Sequence, residues 1–287
     1  MKILVLGSSG LIGSSILRIL SENLSLDVFG TVRLESSLQG FKNIPLNKIL
    51  TGIDLEEDSV DSKILDIFAS IRPDVVINCV GATKHKEDGN QPVNAIKLNA
   101  LLPHRLAQIC SLLGIRLIHI STDCVFSGKK GLYSENDQPD AEDLYGKSKA
   151  LGEVLYGDAL TIRTSTIGHE LNTSYGLLNW FLSQKGECKG FKNAIFSGIP
   201  TVILAQVIQD YILKDKTLKG LYHIAASPIN KYDLLKSIAK VYGKKIEIEL
   251  NEDVVIDRSL DATKFNHATG FKCPEWPQLI EVMYQYK

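Results

Sequence analysis

Paired cysteines, long apolar runs and an excess of charge of one sign are all missing from this sequence of 287 residues. The five cysteines are scattered and none forms a Cys-x-x-Cys pair, so the spacing predicts neither a disulfide framework nor a metal site. A formal net charge of −1 gives no electrostatic pull toward nucleic acid or a membrane surface. No apolar run approaches the roughly 20 residues that a membrane helix needs. These absences favour a globular protein in a reducing, cytoplasmic compartment, without nucleic acid or membrane as a partner.

The chain begins with a pattern of strand, glycine-rich turn and amphipathic helix. The apolar run Lys2–Leu6 is followed by Gly7-Ser-Ser-Gly10-Leu-Ile-Gly13 and then by apolar residues at helical spacing. The first glycine permits a tight turn, the second lets backbone approach a pyrophosphate, and the third lets the helix lie close to the strand. The helix N-terminus also offers N–H groups to phosphate. The turn therefore predicts a dinucleotide site with these contacts: Gly7, Ser9, Gly10, Leu11, Ile12 and Gly13.

The second predicted strand, Asp27–Val32, is followed by a basic residue, Arg33. The end of this strand normally meets the adenosine ribose, where an acidic residue would bind the 2′-hydroxyl of NAD. A guanidinium suits the 2′-phosphate of NADP instead. The sequence thus favours NADPH as the cofactor, with NADH as the alternative.

Further apolar runs alternate with helical patterns along the chain. Strands are predicted at Asn47–Asp54, Val75–Val80, Arg116–Ser121, Ala159–Thr164 and Gly220–Ala225, and helices at Val60–Ile71, Val93–Leu113 (interrupted at Pro103), Val202–Leu213 and Lys231–Tyr242. This alternation predicts an α/β fold, a Rossmann-type doubly wound parallel sheet with a smaller C-terminal substrate lobe. We expect residues 1–165 plus 201–225 to form the NAD(P)-binding domain and residues 166–200 plus 226–287 the substrate lobe.

A second motif, Tyr145-x-x-x-Lys149, follows the strand that ends at Thr122. Residues four apart on a helix lie on one face, so the ammonium is placed near the phenol. An ammonium within reach stabilises a tyrosinate and lowers its pKa, which suits the phenol to exchange a proton with a carbonyl oxygen. The hydroxyl of Thr122, or that of its neighbour Ser121, could hold the same oxygen. We predict Thr122, Tyr145 and Lys149 as the catalytic group.

Together, these features resemble the extended short-chain dehydrogenase/reductase superfamily. The stretch STDCVFSGKKGLYSENDQPDAEDLYGKSKALGE resembles more narrowly the dTDP-4-dehydrorhamnose reductase family. The resemblance implies NADPH-dependent reduction of a nucleotide-linked 4-keto-6-deoxy sugar, with Lys149 also contacting the nicotinamide ribose.

The resemblance also implies roles for individual positions. Asp54 and Leu55 would contact the adenine, Gly81 and Ala82 would form a turn at the cofactor, and Asn99 would have a structural or proton-relay role. On the substrate side it suggests Lys84, Trp180 for the sugar or base, and Arg258 for the diphosphate.

Two other functions remain open at this level. One is a sugar-nucleotide epimerase or dehydratase of the same superfamily, which would hold NAD tightly and regenerate it. The other is a cofactor-binding regulatory subunit, because a regulatory partner of methionine adenosyltransferase shares the resemblance. A homodimer is also a possible state, since homodimers are common among similar enzymes.

Overall fold

The computed structural model describes residues 1–41, 44–57, 59–83, 91–171 and 174–287. The strands in chain order are β1 (Lys2–Leu6), β2 (Asp27–Thr31), β3 (Ile49–Leu50), β4 (Val75–Asn78), β5 (Arg116–Thr122), β6 (Leu160–Thr164), β7 (Thr166–Ile167), β8 (Glu187–Phe191), β9 (Ala194–Phe196), β10 (Ile199–Pro200), β11 (Gly220–His223), β12 (Ile229–Asn230), β13 (Glu247–Asn251) and β14 (Ile256–Asp257). The helices are α1 (Leu11–Ser21), α2 (Val60–Ile71), α3 (Pro92–Ala95), α4 (Leu102–Leu113), α5 (Leu144–Leu151), α6 (Leu177–Ser183), α7 (Thr201–Val207), α8 (Lys231–Tyr242), α9 (Thr263–Thr269) and α10 (Trp276–Gln285).

The centre of the protein is a seven-stranded sheet in the spatial order β11-β6-β5-β4-β1-β2-β3. All of its strand pairs are parallel. The chain runs outward from β1 to β3 and then returns to the other side of β1 with β4. The strand order therefore reverses between β1 and β4, and this is where a doubly wound sheet opens a crevice at the carboxyl ends of its strands. The predicted Rossmann-type fold is confirmed.

Both faces of the sheet are covered because successive side chains on a strand point to opposite faces. Ile3 and Val5 of β1 join one buried cluster with residues of α1, α7 and α10. Leu4 and Leu6 join a second cluster with residues of α2 and α4. All four side chains are at most 1% exposed. Burying an aliphatic side chain contributes about 1.5–3 kcal/mol, so this strand alone anchors the sheet between two helical layers.

The predicted helix at 93–113 is interrupted, as its proline suggested. Between α3 and α4 the chain forms a π-helical turn, Ile96–Leu101, and Pro103 occupies the first turn of α4. Proline lacks the N–H that would continue the ladder, and a wide turn at this point accommodates that loss. Asn99 lies within the π-helical turn and is fully buried.

Several short strands lie outside the main sheet. The strand β9 pairs with β12 and β14, β8 pairs with β13, and β7 pairs with β10. The strand β11 returns to the main sheet beside β6, as predicted for 220–225. One buried cluster contains both Ile3 of the sheet and Leu279 of α10, so the C-terminal part shares a core with the sheet. The proposed division at 166–200 plus 226–287 remains a prediction.

The third strand is much shorter than expected. It covers Ile49–Leu50, not 47–54, because the chain forms a 3-10 turn at Leu46–Lys48 and bends at Gly52, whose φ is +70°. Left-handed backbone at glycine ends an extended segment without steric cost. In the described ranges, no helix has both the length and the apolar character for crossing a membrane.

Candidate active site

The glycine turn after β1 has the geometry that its spacing predicts. Gly7 has a φ of +78°, a conformation that a side chain would strain. A Cβ at Gly13 would lie 2.3 Å from the carbonyl oxygen of Gly7, so only glycine lets α1 approach the turn. A Cβ at Gly10 would meet a single protein atom, at 3.4 Å, so Gly10 faces open space. Packing within the protein therefore explains Gly7 and Gly13, whereas Gly10 leaves room for a ligand.

A cavity of about 300 Å³ opens between this turn and the segment after β4. Of the residues predicted to bind the cofactor, it is lined by Gly7, Ser9, Gly10, Arg33, Asp54, Leu55, Gly81 and Ala82. Leu11, Ile12 and Gly13 form the first turn of α1 beside it, where helix N–H groups lack intrahelical partners. The structure thus brings residues from four separate parts of the chain to one cavity at the point where the strand order reverses.

Arg33 has a partner that the sequence analysis did not single out. Its Nη1 lies 3.2 Å from Oε1 of Glu56, and both residues line the cavity. Nearby, Oδ1 of Asp54 accepts a hydrogen bond from the backbone N–H of Glu56 at 3.0 Å. A carboxylate beside the arginine offsets part of the positive charge available to a 2′-phosphate. The structure therefore places an arginine and a glutamate, paired with each other, at the same wall of the cavity.

The side chain of Asn99 fixes the turn after β4 by hydrogen bonds to its backbone. Its Oδ1 accepts from the N–H of Ala82 at 2.9 Å, and its Nδ2 donates to the carbonyl of Ala82 at 3.0 Å. The same Nδ2 lies 3.1 Å from Oγ of Ser148 on α5. Asn99 does not line the cavity, so its position supports the structural role rather than direct contact with the cofactor. It connects the cofactor turn to the helix that carries Tyr145.

The helix α5 lies close to the end of β5 because small residues line its contacts. A Cβ at Gly146 would lie 2.2 Å from the carbonyl oxygen of Cys124. At the other end, a Cβ at Gly152 would lie 1.8 Å from the carbonyl oxygen of Asn99. Asp143 caps the helix by accepting from the N–H of Gly146 at 2.7 Å. These contacts fix Tyr145, which lies between the cap and Gly146.

Thr122 lies at the carboxyl end of β5, beside Tyr145. Its Oγ1 accepts from the N–H of Cys124 at 3.1 Å and donates to Oδ1 of Asp123 at 3.0 Å. The nearby Thr122 side chain also acts to lower the pKa of Tyr145, so the two hydroxyls lie close to each other. The structure therefore joins the two predicted catalytic hydroxyls at the edge of the sheet where ligands of parallel folds bind.

The predicted acidification of Tyr145 by Lys149 is corrected by the structure. Burial raises the pKa of Tyr145 well above its usual value, and the negative groups of Cys124 and Asp123 raise it further. A desolvated phenolate beside acidic groups is unfavourable, and this outweighs the hydrogen bond from Thr122. Tyr145 therefore keeps its proton throughout the neutral range, the form that a proton donor requires.

Lys149 lies on the same face of α5, and its side chain is buried beneath the site. Its Nζ donates to the carbonyl of Ile120 at 2.7 Å, next to the end of β5. Burial lowers the pKa of Lys149 to about 8, and the charge of Glu153 opposes that shift. Its charge is therefore present at neutral pH and is lost as the pH rises through about 8.

The three predicted substrate residues have different outcomes. The guanidinium of Arg258 donates from Nε to the carbonyl of Phe126 at 2.8 Å and lies 3.7 Å from Sγ of Cys124, close to Thr122. Trp180 is 37% exposed on α6 and does not line the cavity. Lys84 lies outside the described residues. Arg258 is thus the predicted substrate residue that the described structure brings to the catalytic end.

Asp123 was missed by the sequence analysis. Burial raises the pKa of its carboxyl, while a hydrogen bond from Thr122 and the charge of Arg258 oppose the shift. Its adjacency to Thr122 was the available signal, since a residue that directly follows a strand end shares the ligand edge of the sheet. Asp123 thus lies between the hydroxyl of Thr122, to which it is hydrogen-bonded, and the positive charge of Arg258.

The sheet, the cavity and the Thr122–Tyr145–Lys149 arrangement define a Rossmann-type protein of the NAD(P)-dependent oxidoreductase class. The family model described as "RmlD substrate binding domain" matches residues 1–286. The chain belongs to that family.

Individual relatives agree with this assignment. The chain is 22% identical to a dTDP-4-dehydrorhamnose reductase of Aggregatibacter actinomycetemcomitans, over 99% of each protein. It is also 25% identical to methionine adenosyltransferase 2 subunit beta of Xenopus laevis, over 84% of this chain and 72% of that protein. A crystal structure of dTDP-4-dehydrorhamnose reductase from Bacillus anthracis in complex with NADP has the same fold, with a TM-score of 0.79, 20% identity and coverage of 100% of this chain and 99% of that one.

Substitutions at Gly10 and Gly13 should distinguish a glycine that leaves room for a ligand from one that packing within the protein requires. Gly10→Ala should leave the melting temperature nearly unchanged and weaken NADPH binding at least tenfold, because the added methyl enters the space for the pyrophosphate. Gly13→Ala should lower stability by about 1–3 kcal/mol, because the methyl meets the Gly7 carbonyl. Thermal unfolding and cofactor titration measure the two effects. Normal NADPH affinity in folded Gly10→Ala would contradict the assigned turn.

Proposed function

We propose that the protein reduces a nucleotide-linked 4-keto-6-deoxy sugar with NADPH, in the manner of a dTDP-4-dehydrorhamnose reductase, and acts in deoxysugar or polysaccharide biosynthesis. One observation carries the proposal: Thr122 ends β5, and the α5 turn that carries Tyr145 packs against the residues that follow it, one strand from the turn that lines the dinucleotide cavity. A hydroxyl pair next to a nicotinamide position is the arrangement that carbonyl reduction requires.

The residues of the chain have distinct tasks in this reaction. Bound NADPH supplies the hydride to C4 of the sugar. Thr122 holds the keto oxygen, and Tyr145 donates the phenolic proton to that oxygen as negative charge develops. Lys149, as an ammonium, bonds the nicotinamide ribose and balances the tyrosinate that remains. The protonated state of Tyr145 in the neutral range supports the reductive direction.

The residues lining the cavity fit this cofactor. We propose that Arg33 contacts the 2′-phosphate and Asp54 the adenine, with the pyrophosphate on the turn that contains Gly10. The open space at Gly10 supports the pyrophosphate position. Ala82, held by Asn99, borders the nicotinamide-side ribose.

We propose that the sugar nucleotide binds between the main sheet and a lobe formed by residues 166–200 plus 226–287. Arg258 of that lobe reaches the Thr122 end of β5, which supports a substrate site at this junction. Its guanidinium is suited to bind the diphosphate. Trp180 and Lys84 remain candidates for sugar contacts.

The similarity to methionine adenosyltransferase 2 subunit beta favours a second candidate, a cofactor-binding regulatory subunit. The two functions separate in one assay. Purified protein is incubated with NADPH or NADH and a panel of nucleotide-linked 4-keto sugars, and the absorbance of the reduced nicotinamide is followed. Loss of absorbance supports the reductase. Bound, non-exchangeable NAD with sugar conversion favours an epimerase or dehydratase, and co-purification with a larger enzyme without turnover favours the subunit.

We further propose a cytoplasmic homodimer. The five cysteines are all free, which supports a reducing compartment. An apolar surface extends over α4 and the end of α5: Leu112 is 86% exposed, Leu151 69%, Leu155 55% and Tyr156 51%. His104 of α4 joins the two parts by bonding Tyr156 Oη and the carbonyl of Leu151. Apolar surface of this extent favours burial against a second copy.

Tyr145→Phe should retain NADPH binding and lose about 10²–10⁴-fold in kcat, because the proton donor is removed while the ring remains. Steady-state reduction of the accepted keto sugar and a separate cofactor titration measure this. Tyr156→Phe, which removes a phenol bonded to His104 outside the cavity, is the control. Near-normal turnover by Tyr145→Phe would remove this residue from its role.

Arg33→Ala should lower the preference for NADPH over NADH by about tenfold, which corresponds to about 1.4 kcal/mol. Glu56→Gln should shift the preference toward NADPH, because it removes the carboxylate that shares the guanidinium. The ratio of kcat/KM values for the two cofactors is the measurement. An unchanged ratio in Arg33→Ala would show that Arg33 does not recognise the 2′-phosphate.

Light scattering should give twice the chain mass of 31.7 kDa for the wild type. Leu112→Glu combined with Leu151→Glu should produce monomers, because each places a charge on the apolar surface. Leu24→Glu, at a fully exposed leucine in the loop after α1, is the matched control and should remain dimeric. A monomeric wild type at micromolar concentration would contradict the proposed dimer.

A further inference from the structure

A third ionisable residue follows Tyr145 and Lys149 just beyond the end of α5. Glu153 stands four residues after Lys149, directly after the C-cap residue Gly152. The side chain of Glu153 is 3% exposed. A buried carboxylate at this spacing is costly unless its charge is balanced, so its partners determine what it does.

Glu153 is bound by a guanidinium and a hydroxyl. Nε and Nη2 of Arg163 each donate to one of its oxygens at 2.7 Å, in a bidentate pair. Oγ of Ser121, on β5 next to Thr122, donates to Oε1 at 2.7 Å. The carboxylate is therefore fixed by two strands of the sheet, and the helix end that carries it is fixed in turn.

Arg163 is itself held in a closed pocket. It lies over the ring of Phe126, with 4.9 Å from Cζ to the centroid, and its Nη1 contacts Nε2 of His223 at 3.3 Å. Nδ1 of His223 faces the carbonyl of Tyr133 at 3.1 Å, so Nδ1 carries the proton and Nε2 accepts from the guanidinium. Burial and Arg163 lower the pKa of His223 to about 4, which agrees with a neutral ring. The pair of Glu153 and Arg163 is thus a rigid unit.

The other titratable groups around Lys149 carry no charge near neutral pH. Burial raises the pKa of Cys79 to about 12, so it stays a thiol. Burial and the charge of Lys149 lower the pKa of His119 well below its usual value, so it stays neutral. Tyr145 keeps its proton. The carboxylate of Glu153, which pairs with Arg163, is thus the negative group that opposes the fall in the pKa of Lys149.

We propose that Glu153 is a positioning residue of the reductase site, which keeps Lys149 in its ammonium form and, through Ser121 and Arg163, fixes α5 against the catalytic end of β5. It acts through Lys149 and does not touch the substrate. The proposal rests on the function proposed above, in which the Lys149 ammonium bonds the nicotinamide ribose. Without the carboxylate, Arg163 remains as an unpaired cation and adds to the desolvation that favours neutral Lys149.

The test measures NADPH affinity by fluorescence titration across pH, without any sugar. Wild-type affinity should fall as Lys149 loses its proton near pH 8. In Glu153→Gln the fall should occur about one pH unit lower, because the carboxylate that raises the pKa of Lys149 is removed. Glu153→Asp, which keeps the charge, should restore most of the wild-type midpoint. Glu142→Gln, at an exposed glutamate paired with Lys129, is the control and should not shift it.

Folding is followed by circular dichroism, because Glu153→Gln leaves a buried guanidinium without its partner. If that variant does not fold, Glu153→Gln combined with Arg163→Met removes both charges and decides the question. If NADPH affinity falls at a lower midpoint pH than in the wild type, the proposal is supported. An unchanged midpoint in the folded variant overturns it, as does wild-type affinity that stays flat through pH 8.

The two proposals fail in different ways. If NADPH affinity shifts as expected but no nucleotide-linked keto sugar is reduced, the proposed reaction fails and the role of Glu153 stands. If a keto sugar is reduced and the midpoint in Glu153→Gln is unchanged, the reaction stands and the role of Glu153 fails.

Discussion

The site depends on one buried amide, the side chain of Asn99. It bonds both backbone groups of Ala82 in the cofactor turn and the hydroxyl of Ser148 on the catalytic helix. Leaving a buried donor or acceptor unsatisfied costs about 1–3 kcal/mol, so separating the turn after β4 from α5 would destabilise the protein by at least that amount. The π-helical turn before Pro103 places this amide inward, and Gly152 lets the helix approach it. An interrupted helix thus sets the distance between the turn after β4 and the helix that carries Tyr145.

Burial is the second constraint, and it shifts the pKa values of Tyr145 and Lys149 in opposite directions. Desolvation raises the pKa of Tyr145 and lowers that of Lys149, because both groups are driven toward their neutral forms. A neutral phenol is what proton donation requires, whereas a neutral amine would lack the positive charge that the proposed mechanism assigns to Lys149. Lys149 therefore requires a nearby negative charge to stay protonated, whereas Tyr145 requires none. We propose Glu153 as the source of that negative charge.

Much of the architecture was predictable because it depends on local patterns. The period of apolar residues and the glycine spacing predicted the parallel sheet, the turn after β1 and the return of β11 to the sheet. The motif of Tyr145 and Lys149 could be placed on a helix face by spacing alone. The resemblance supplied Asn99, whose role as a link between two segments depends on a π-helical turn that no residue pattern marked.

Electrostatic interactions between residues far apart in the chain could not be predicted from the sequence. The expected acidification of Tyr145 considered only its neighbour four residues away, whereas burial is the largest influence on its pKa. The pairing of Arg33 with Glu56 and of Arg163 with Glu153 joins residues on different elements, and no spacing rule identifies such pairs. The extent of β3 was also overestimated, because a glycine in left-handed backbone ended it early.

The most direct measurement is isotope transfer from NADPH deuterated at the transferable position to a nucleotide-linked 4-keto-6-deoxy sugar. The account predicts one deuterium at C4 of the product for each NADPH oxidised, detected by mass spectrometry and NMR. Conversion of the sugar without deuterium at C4, or with no net oxidation of NADPH, would contradict it.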